Sequence, residues 1–268
     1  MTMNTITDTE FTRFQRFIYD AAGITMSPAK KALVCGRLSK RLQAHRLNSF
    51  DEYFELLSSG RVADEVQTAV GLLTTNETYF FREPKHFDLL RSLATAAVGR
   101  AQPFRVWSAA SSSGEECYSI AMVLADCLGD TAWDVVGSDI SRRVLQRART
   151  GHYPLERTRH IPDSYLKRFC LRGTGEQEGT LLVDRRLRQR VSFAQVNLNA
   201  ELPRLGTFDI VFLRNVMIYF NGDTKRQVVA RVLSTLKPGG HFCIGHSESL
   251  NDISTAVQQL APSIYRKP

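Results

Sequence analysis

The chain has 268 residues, 43% hydrophobic and 23% charged, enough to bury a real core in one large domain or two modest ones. A formal charge of +8 favours an acidic partner, without choosing among nucleic acid, an anionic membrane face and an acidic protein. No apolar run approaches the roughly 20 residues of a membrane span, and the opening MTMNTITDTEF lacks the basic-then-apolar order of a secretory signal.

Residues 1–73 read as a string of short helices, an all-α N-terminal domain. Thr7 and Glu10 form a capping-box pair before Phe11, Phe14 and Ile18, which share one helical face, and Gly23 stops that helix. Ser27-Pro28 opens a second helix with proline in its first turn. Ser49 and Glu52 open a third, carrying Phe54 and Leu57, and a fourth runs from about Val62 to Leu73. A linker, 74–103, holds the polar segment TTNETYFFRE and a helix that starts at Pro84.

From Phe104 to the end, a domain of 104–268, strands and helices alternate. FRVWSAA, WDVVGSD, VSFAQVNL, FDIVFLRNV and HFCIGHSE read as strands, with SIYRK as a closing edge strand. This grammar predicts an α/β fold, a parallel sheet wrapped by helices, with its binding crevice beyond the strands' carboxyl ends. The 51 residues between Asp139 and Val191 exceed any crossover helix, so about 152–190 reads as an inserted subdomain.

The loop SAASSSG, 108–114, joins the first strand to a helix using only small residues, which lets a ligand approach the backbone and the helix N-terminus. The GxGxxG of a dehydrogenase is absent there. Strand two ends in Asp139, placed to accept hydrogen bonds from two ribose hydroxyls; an ordinary turn with Asp139 as a helix cap fits as well. Glu115 and Glu116 open a helix, where its dipole favours negative charge. In TTNETYFFRE, Asn76, Thr78 and Arg82 interleave with three aromatics, and FLRNVMIYF ends a buried strand with Arg214 and Asn215 before Tyr219. A strand-end arginine reaching solvent is the simpler reading of Arg214; a buried one needs a partner.

The segments TTNETYFFRE, VWSAASSSGEECYSIA, SDIS, VNL, FLRNVMIYF, LKPGG and GHSES, in this order and spacing, resemble the chemotaxis receptor glutamate methyltransferases, the CheR family. The resemblance covers nearly the whole chain. It implies a class I S-adenosylmethionine-dependent (Rossmann-like) domain with a small β-subdomain insertion, preceded by the helical domain. The implied cofactor contacts are Asn76, Thr78, Arg82, Glu116, Asp139, Asn197, Leu198, Arg214 and Asn215, and the implied catalytic pair is Arg82 and Tyr219. Cys117 and Ser113 stand where the family commonly has proline and threonine, both small changes in the cofactor loop.

The implied reaction transfers a methyl group to a receptor glutamate, giving a glutamyl 5-O-methyl ester and S-adenosylhomocysteine. A glutamate with a reference pKa of about 4.3 is ionised at neutral pH and needs no general base. Residues 27–46 carry Lys30, Lys31, Arg37, Lys40, Arg41 and Arg46 with no acid, and Lys30, Arg37, Lys40 and Arg41 share one helical face. That face is either solvated surface or a dock for the acidic coiled-coil methylation region of the receptor. In some members of the family the inserted subdomain binds a receptor C-terminal pentapeptide by strand addition, and RGTGEQEG with Arg172 matches the loop of those members. Leu182 departs from that pattern.

Five dispersed cysteines with no CxxC pair suit reduced thiols in a cytosol. His241 and His246 sit five apart on one strand and face opposite ways, so no metal is expected. The resulting expectation is a monomeric cytoplasmic enzyme, recruited to receptor arrays, with no nucleic-acid partner and no membrane insertion. A nucleic-acid methyltransferase or a non-catalytic cofactor-sensing module would instead show an NPPY-type motif, or lack Arg82 or Tyr219.

Overall fold

The computed structural model describes residues 5–268. The chain begins with α1 (Asp8–Ala22), α2 (Lys31–His45), α3 (Phe50–Ser58) and α4 (Ala63–Leu73). The α1 start is the expected capping box: the Glu10 N–H donates to Thr7 Oγ1 at 3.2 Å, and the Thr7 N–H donates to Glu10 Oε2 at 2.8 Å. Phe14, Ile18, Val34, Leu38, Phe50 and Tyr53 close the helical core. Phe14 meets Phe50 and Phe54 edge-on and stacks on Tyr53, and full burial of such a ring stabilises by about 1.5–3 kcal/mol. Pro28 opens a short 3-10 turn, Pro28–Lys30, rather than the helix proper.

Next come α5 (Pro84–Ala96), β1 (Phe104–Ser108), α6 (Glu115–Leu128), β2 (Trp133–Asp139) and α7 (Arg142–Thr150). An inserted stretch follows with β3 (His152–Pro154), α8 (Asp163–Phe169), β4 (Cys170–Arg172), β5 (Thr180–Val183) and α9 (Arg185–Arg188). The chain returns through β6 (Val191–Gln195), β7 (Phe208–Leu213), α10 (Gly222–Ser234), β8 (Leu236–Ile244), β9 (Gln258–Ala261) and β10 (Ile264–Arg266).

The main sheet runs β6-β2-β1-β7-β8-β10-β9, and its first five strands are parallel. The chain winds outward from β1 through β2 to β6, then restarts at β7 on the other side. The order therefore reverses between β1 and β7, and the loops after those two strands flank a crevice. Buried apolar runs such as the fully covered Ile210–Leu213 are what strands clad by helices on both faces require. The expected α/β fold with a preceding helical unit is present, and the expected insertion forms a separate antiparallel sheet, β3-β5-β4.

One edge differs from expectation. SIYRK is not the border of the sheet: β10 lies between β8 and β9, and β9 is the edge. The chain doubles back at Pro262-Ser263, where Ser263 takes φ +61°, and β9 is mostly exposed with no alternating pattern to announce it.

Candidate active site

A cleft open to solvent at its mouth lies at the reversal point. Asn76, Thr78 and Arg82 line it from the linker, Glu116 and Asp139 from the ends of β1–α6 and β2. Asn197 and Leu198 line it after β6, and Arg214, Asn215 and Tyr219 after β7. Every residue expected to contact the cofactor thus borders one cleft. Ala109, Ala110 and Ser112 of the small-residue loop line it as that loop's composition suggested, while Ala22 and Ile24, which the helical domain contributes, were not singled out in the sequence.

Two residues lining the cleft, Ser112 (48°) and Asn215 (57°), and the two that flank Arg82 in the chain, Phe81 (54°) and Glu83 (60°), are non-glycine residues with positive φ. Each such conformation costs of order 1–3 kcal/mol and persists only where surroundings hold it. Here side chains do so. The N–H of Phe81 donates to Ser119 Oγ at 3.0 Å, that of Ser112 to Asp139 Oδ2 at 3.0 Å, and that of Asn215 to Glu248 Oε2 at 2.9 Å.

Arg214 does not reach solvent. Its side chain is 2% exposed and lies between Glu116, 2.9 Å from Nη1, and Glu83, 3.2 Å from Nη2, and it also donates to the carbonyl of Arg82. Burial works against the Glu83 charge, but Arg214 and the His246 N–H hold its carboxyl below the usual range. Among the charged residues that line the cleft, the acids Glu77, Glu116 and Asp139 outnumber Arg82 and Arg214 by one, which suits a ligand carrying a sulfonium and an ammonium group.

Asp139 is not itself the cap of α7, whose N-cap is Ser141, but it supports that residue and borders the cleft. Oδ1 accepts the Ser141 N–H at 2.9 Å, the cap of α7, while the carboxylate also lines the cleft with lone pairs left for hydroxyl donors. Burial lifts this carboxyl above its ordinary pKa, against the backbone N–H groups it accepts. Ser112 Oγ donates to the Asn76 carbonyl at 2.9 Å, fastening the linker to the small-residue loop. Asn197 Nδ2 donates to the Ala21 carbonyl at 2.8 Å, so the cleft floor is tied to the end of α1.

Arg82 is half-buried over the Tyr79 ring, 5.6 Å from its centroid, and Tyr219 borders the same cleft. The loop carrying Tyr219 is organised by a residue that the sequence did not flag. Glu248 accepts the N–H groups of Gly245 at 2.7 Å, Asn215 at 2.9 Å and Ile218 at 3.2 Å, and burial raises its pKa. Its sequence signal is its place in GHSES, a glycine-serine turn directly after an apolar strand, where no role was assigned to it.

The basic face of α2 is less open than its acid-free sequence suggests. Arg37 is half-buried and donates to the carbonyls of Leu72, Leu73 and Thr74 at 2.8–3.3 Å, capping the end of α4. Arg41 forms a bidentate pair with Glu65 on α4, which also accepts from Tyr53 at 2.6 Å. Burial opposes ionisation of Glu65, but hydrogen bonds from Arg41, Tyr53 and His45 bring it down to about 2. The missing acid was therefore supplied from another helix, and Arg37 and Arg41 are spent inside the domain. Lys30 and Lys40 remain exposed. Lys30 borders a second groove with Leu33, Ile218 and Tyr219, which adjoins the cleft.

In the insertion, Arg172 ends β4 and is exposed on the outer strand of the small sheet. The insertion also reaches the cleft. Arg157 Nη2 sits 2.6 Å from Oε1 of fully buried Glu115 and donates to the Thr78 carbonyl at 3.1 Å. Tyr153 donates to the Ser113 carbonyl at 2.7 Å. His246 does not stand alone among histidines: His86, from α5, packs 5.6 Å from it, centroid to centroid, and burial pushes His86 down to about 4.

Residues 76–265 match the family described as CheR methyltransferase, SAM binding domain, and residues 9–74 match its all-alpha domain. The chain is 44% identical over 259 residues to chemotaxis protein methyltransferase 2 of Pseudomonas aeruginosa, covering 96% of this chain and 92% of that one. It is 41% identical over 263 residues to the chemotaxis protein methyltransferase of Escherichia coli, covering 97% and 91%. A wall with net negative charge, a carboxylate at the end of β2 and a backbone-lined loop fit S-adenosylmethionine. The chain belongs to the CheR methyltransferase family and uses S-adenosylmethionine.

Proposed function

We propose that this protein methylates glutamate side chains of chemotaxis receptors, forming glutamyl 5-O-methyl esters for adaptation in chemosensory signalling. The observation that carries this reading is the juxtaposition, in one cleft, of a negative wall suited to a cationic donor with Arg82 and Tyr219. When bound, S-adenosylmethionine supplies an electrophilic sulfonium methyl and leaves as S-adenosylhomocysteine. Asp139 accepts from the ribose hydroxyls, and Glu116 and the loop after β1 receive the cationic amino-acid end. Arg82 and Tyr219 orient the acceptor carboxylate. A tight bidentate grip would blunt its nucleophilicity, so their role is alignment and exclusion of water. No proton has to be removed from an ionised glutamate, which explains why the chemistry asks for no histidine or aspartate base.

The acceptor reaches the cleft from the groove beside Tyr219. Lys30 on its rim and Lys40 on α2 offer cations to the acidic methylation region of the receptor coiled coil, and exposed Ile218 offers apolar contact. The outer edge of β4, ending at Arg172, is where a receptor C-terminal pentapeptide would add a strand. No described helix is long and apolar enough to cross a membrane. The protein acts as a monomer in the cytoplasm, recruited to receptor arrays by those contacts.

The test is transfer of a tritiated methyl group to receptors, followed by alkali. Volatile methanol marks an ester, and label that stays on the protein or passes to nucleic acid sinks the proposal. With Arg82→Ala, turnover should fall by about 10²-fold or more while the melting temperature holds. Near-normal turnover would remove Arg82 from the acceptor site.

A further inference from the structure

Behind the cleft, three side chains from distant parts of the chain converge. The donor atoms of Glu83, His86 and His246 all lie within 4.8 Å of one another. Glu83 Oε2 stands 3.4 Å from His86 Nδ1 and 3.9 Å from His246 Nε2. The tautomer of His86 follows from its other nitrogen. Nε2 lies 2.8 Å from Ser263 Oγ, and that hydroxyl donates its hydrogen to the Pro262 carbonyl at 2.6 Å. With that hydroxyl turned to Pro262, the serine oxygen accepts, Nε2 carries the ring proton, and Nδ1 of the neutral ring presents a lone pair.

That lone pair is fully buried and has no hydrogen-bond partner among the described residues. It faces a carboxylate oxygen, a second acceptor. Two buried acceptors 3.4 Å apart repel each other unless a positive centre lies between them. Glu83 and Glu116 together carry one more charge than Arg214, set against the repulsion that Arg214 exerts at His86 itself. Two imidazole nitrogens and one carboxylate oxygen form a three-ligand set of the kind that holds zinc with a fourth position left to water. Imidazole donors also select zinc-like ions over magnesium or calcium.

We propose that Glu83, His86 and His246 form a site for a zinc-class divalent cation whose occupancy weakens cofactor binding. The link is Glu83 Oε2, which now accepts from Arg214 Nε at 3.3 Å and Nη2 at 3.2 Å. A metal at that oxygen competes for its lone pairs. Arg214 also holds Glu116 and the Arg82 carbonyl on the cleft wall, so loosening it is felt where the cofactor sits. His246, half-exposed, gives the ion its way in from solvent.

Zinc chloride titrated by calorimetry into chelator-stripped, full-length protein should reveal one saturable site. Cobalt(II) in its place should give the visible bands of four-coordinate nitrogen and oxygen ligation, without the near-ultraviolet band of a thiolate. Zinc should raise the KM for S-adenosylmethionine, and EDTA should restore it. His246→Ala, at a half-exposed position, should weaken zinc at least about tenfold and abolish its effect on KM. His86→Gln, accepted only if its melt stays cooperative, should do the same. Absence of saturable binding, a thiolate band, or unchanged affinity in His246→Ala overturns the site. Tight binding with no change in KM overturns the coupling to the cofactor.

Discussion

At Glu248 one buried carboxylate collects the backbone N–H groups of Gly245, Asn215 and Ile218, and so fixes the turn that presents Asn215 and Tyr219 to the cleft. Glutamine at this position keeps the shape but replaces one acceptor oxygen with a donor, so at least one of those N–H groups loses its partner. Misplacing Tyr219 by about 1 Å costs on the order of 10² in rate. Glu248→Gln should therefore lower kcat by about 10- to 100-fold and change the cofactor's Kd far less, measured by single-turnover transfer and calorimetry. A loss confined to cofactor affinity would show that Glu248 serves the wall and not the acceptor turn. The residue identities at the cleft were legible because the segments that carry them resemble, in order and spacing, the motifs of one family. The role of Glu248 and the pairing of Arg214 with Glu83 were not, since a contact across 131 residues leaves no local pattern.

At the scale of elements, α2 and α4 are joined by Arg41 and Glu65. Glu65 is 7% exposed with a pKa of about 2 against an ordinary 4.5, so it contributes stability above about pH 4.5 that is lost as pH falls through 2. That shift corresponds to on the order of 3 kcal/mol, and breaking such a pair on one side costs about 3–5 kcal/mol. Glu65→Gln should lower stability by roughly 3 kcal/mol at pH 7, with the penalty shrinking below pH 4.5, as read by urea unfolding. An equal penalty at pH 7 and pH 3 would rule out the ion pair as its source. The same packing leaves Lys30 and Lys40 as the exposed cations of the proposed docking face. Reversing the charge of the two exposed lysines, Lys30→Glu with Lys40→Glu, should raise the KM for receptor several-fold and leave that for cofactor unchanged. If receptor kinetics do not move, those lysines are solvated surface only.

For the whole molecule, the decisive contact is between the helical domain and the sheet domain. Gly23 takes φ +70° at the end of α1, and a Cβ there would stand 2.7 Å from Thr224 Cγ2 and 2.9 Å from Asn199 Cγ. Beside it, the Thr25 N–H donates to the Tyr219 carbonyl at 2.8 Å and Ile24 bridges to Phe220. Gly23→Ala combines a left-handed penalty of about 1–2 kcal/mol with that clash. It should lower the melting temperature and also raise the cofactor's Kd, because Ala22 and Ile24 line the cleft. Reduced stability with unchanged cofactor affinity would show that the two domains can part without opening the site.

The sequence by itself determined the alternation of strands and helices, the capped helices ahead of them and the insertion, because periodicity, caps and small-residue loops are local properties, while most of the cleft's residues came from the family resemblance of its motifs. Only the tertiary structure decided which charges are free. It buried Arg214 between two glutamates, took Arg37 and Arg41 out of the basic face, and brought His86 to His246. Partners for charged groups are chosen by what folding brings near in space, and the low dielectric of the interior makes those choices matter.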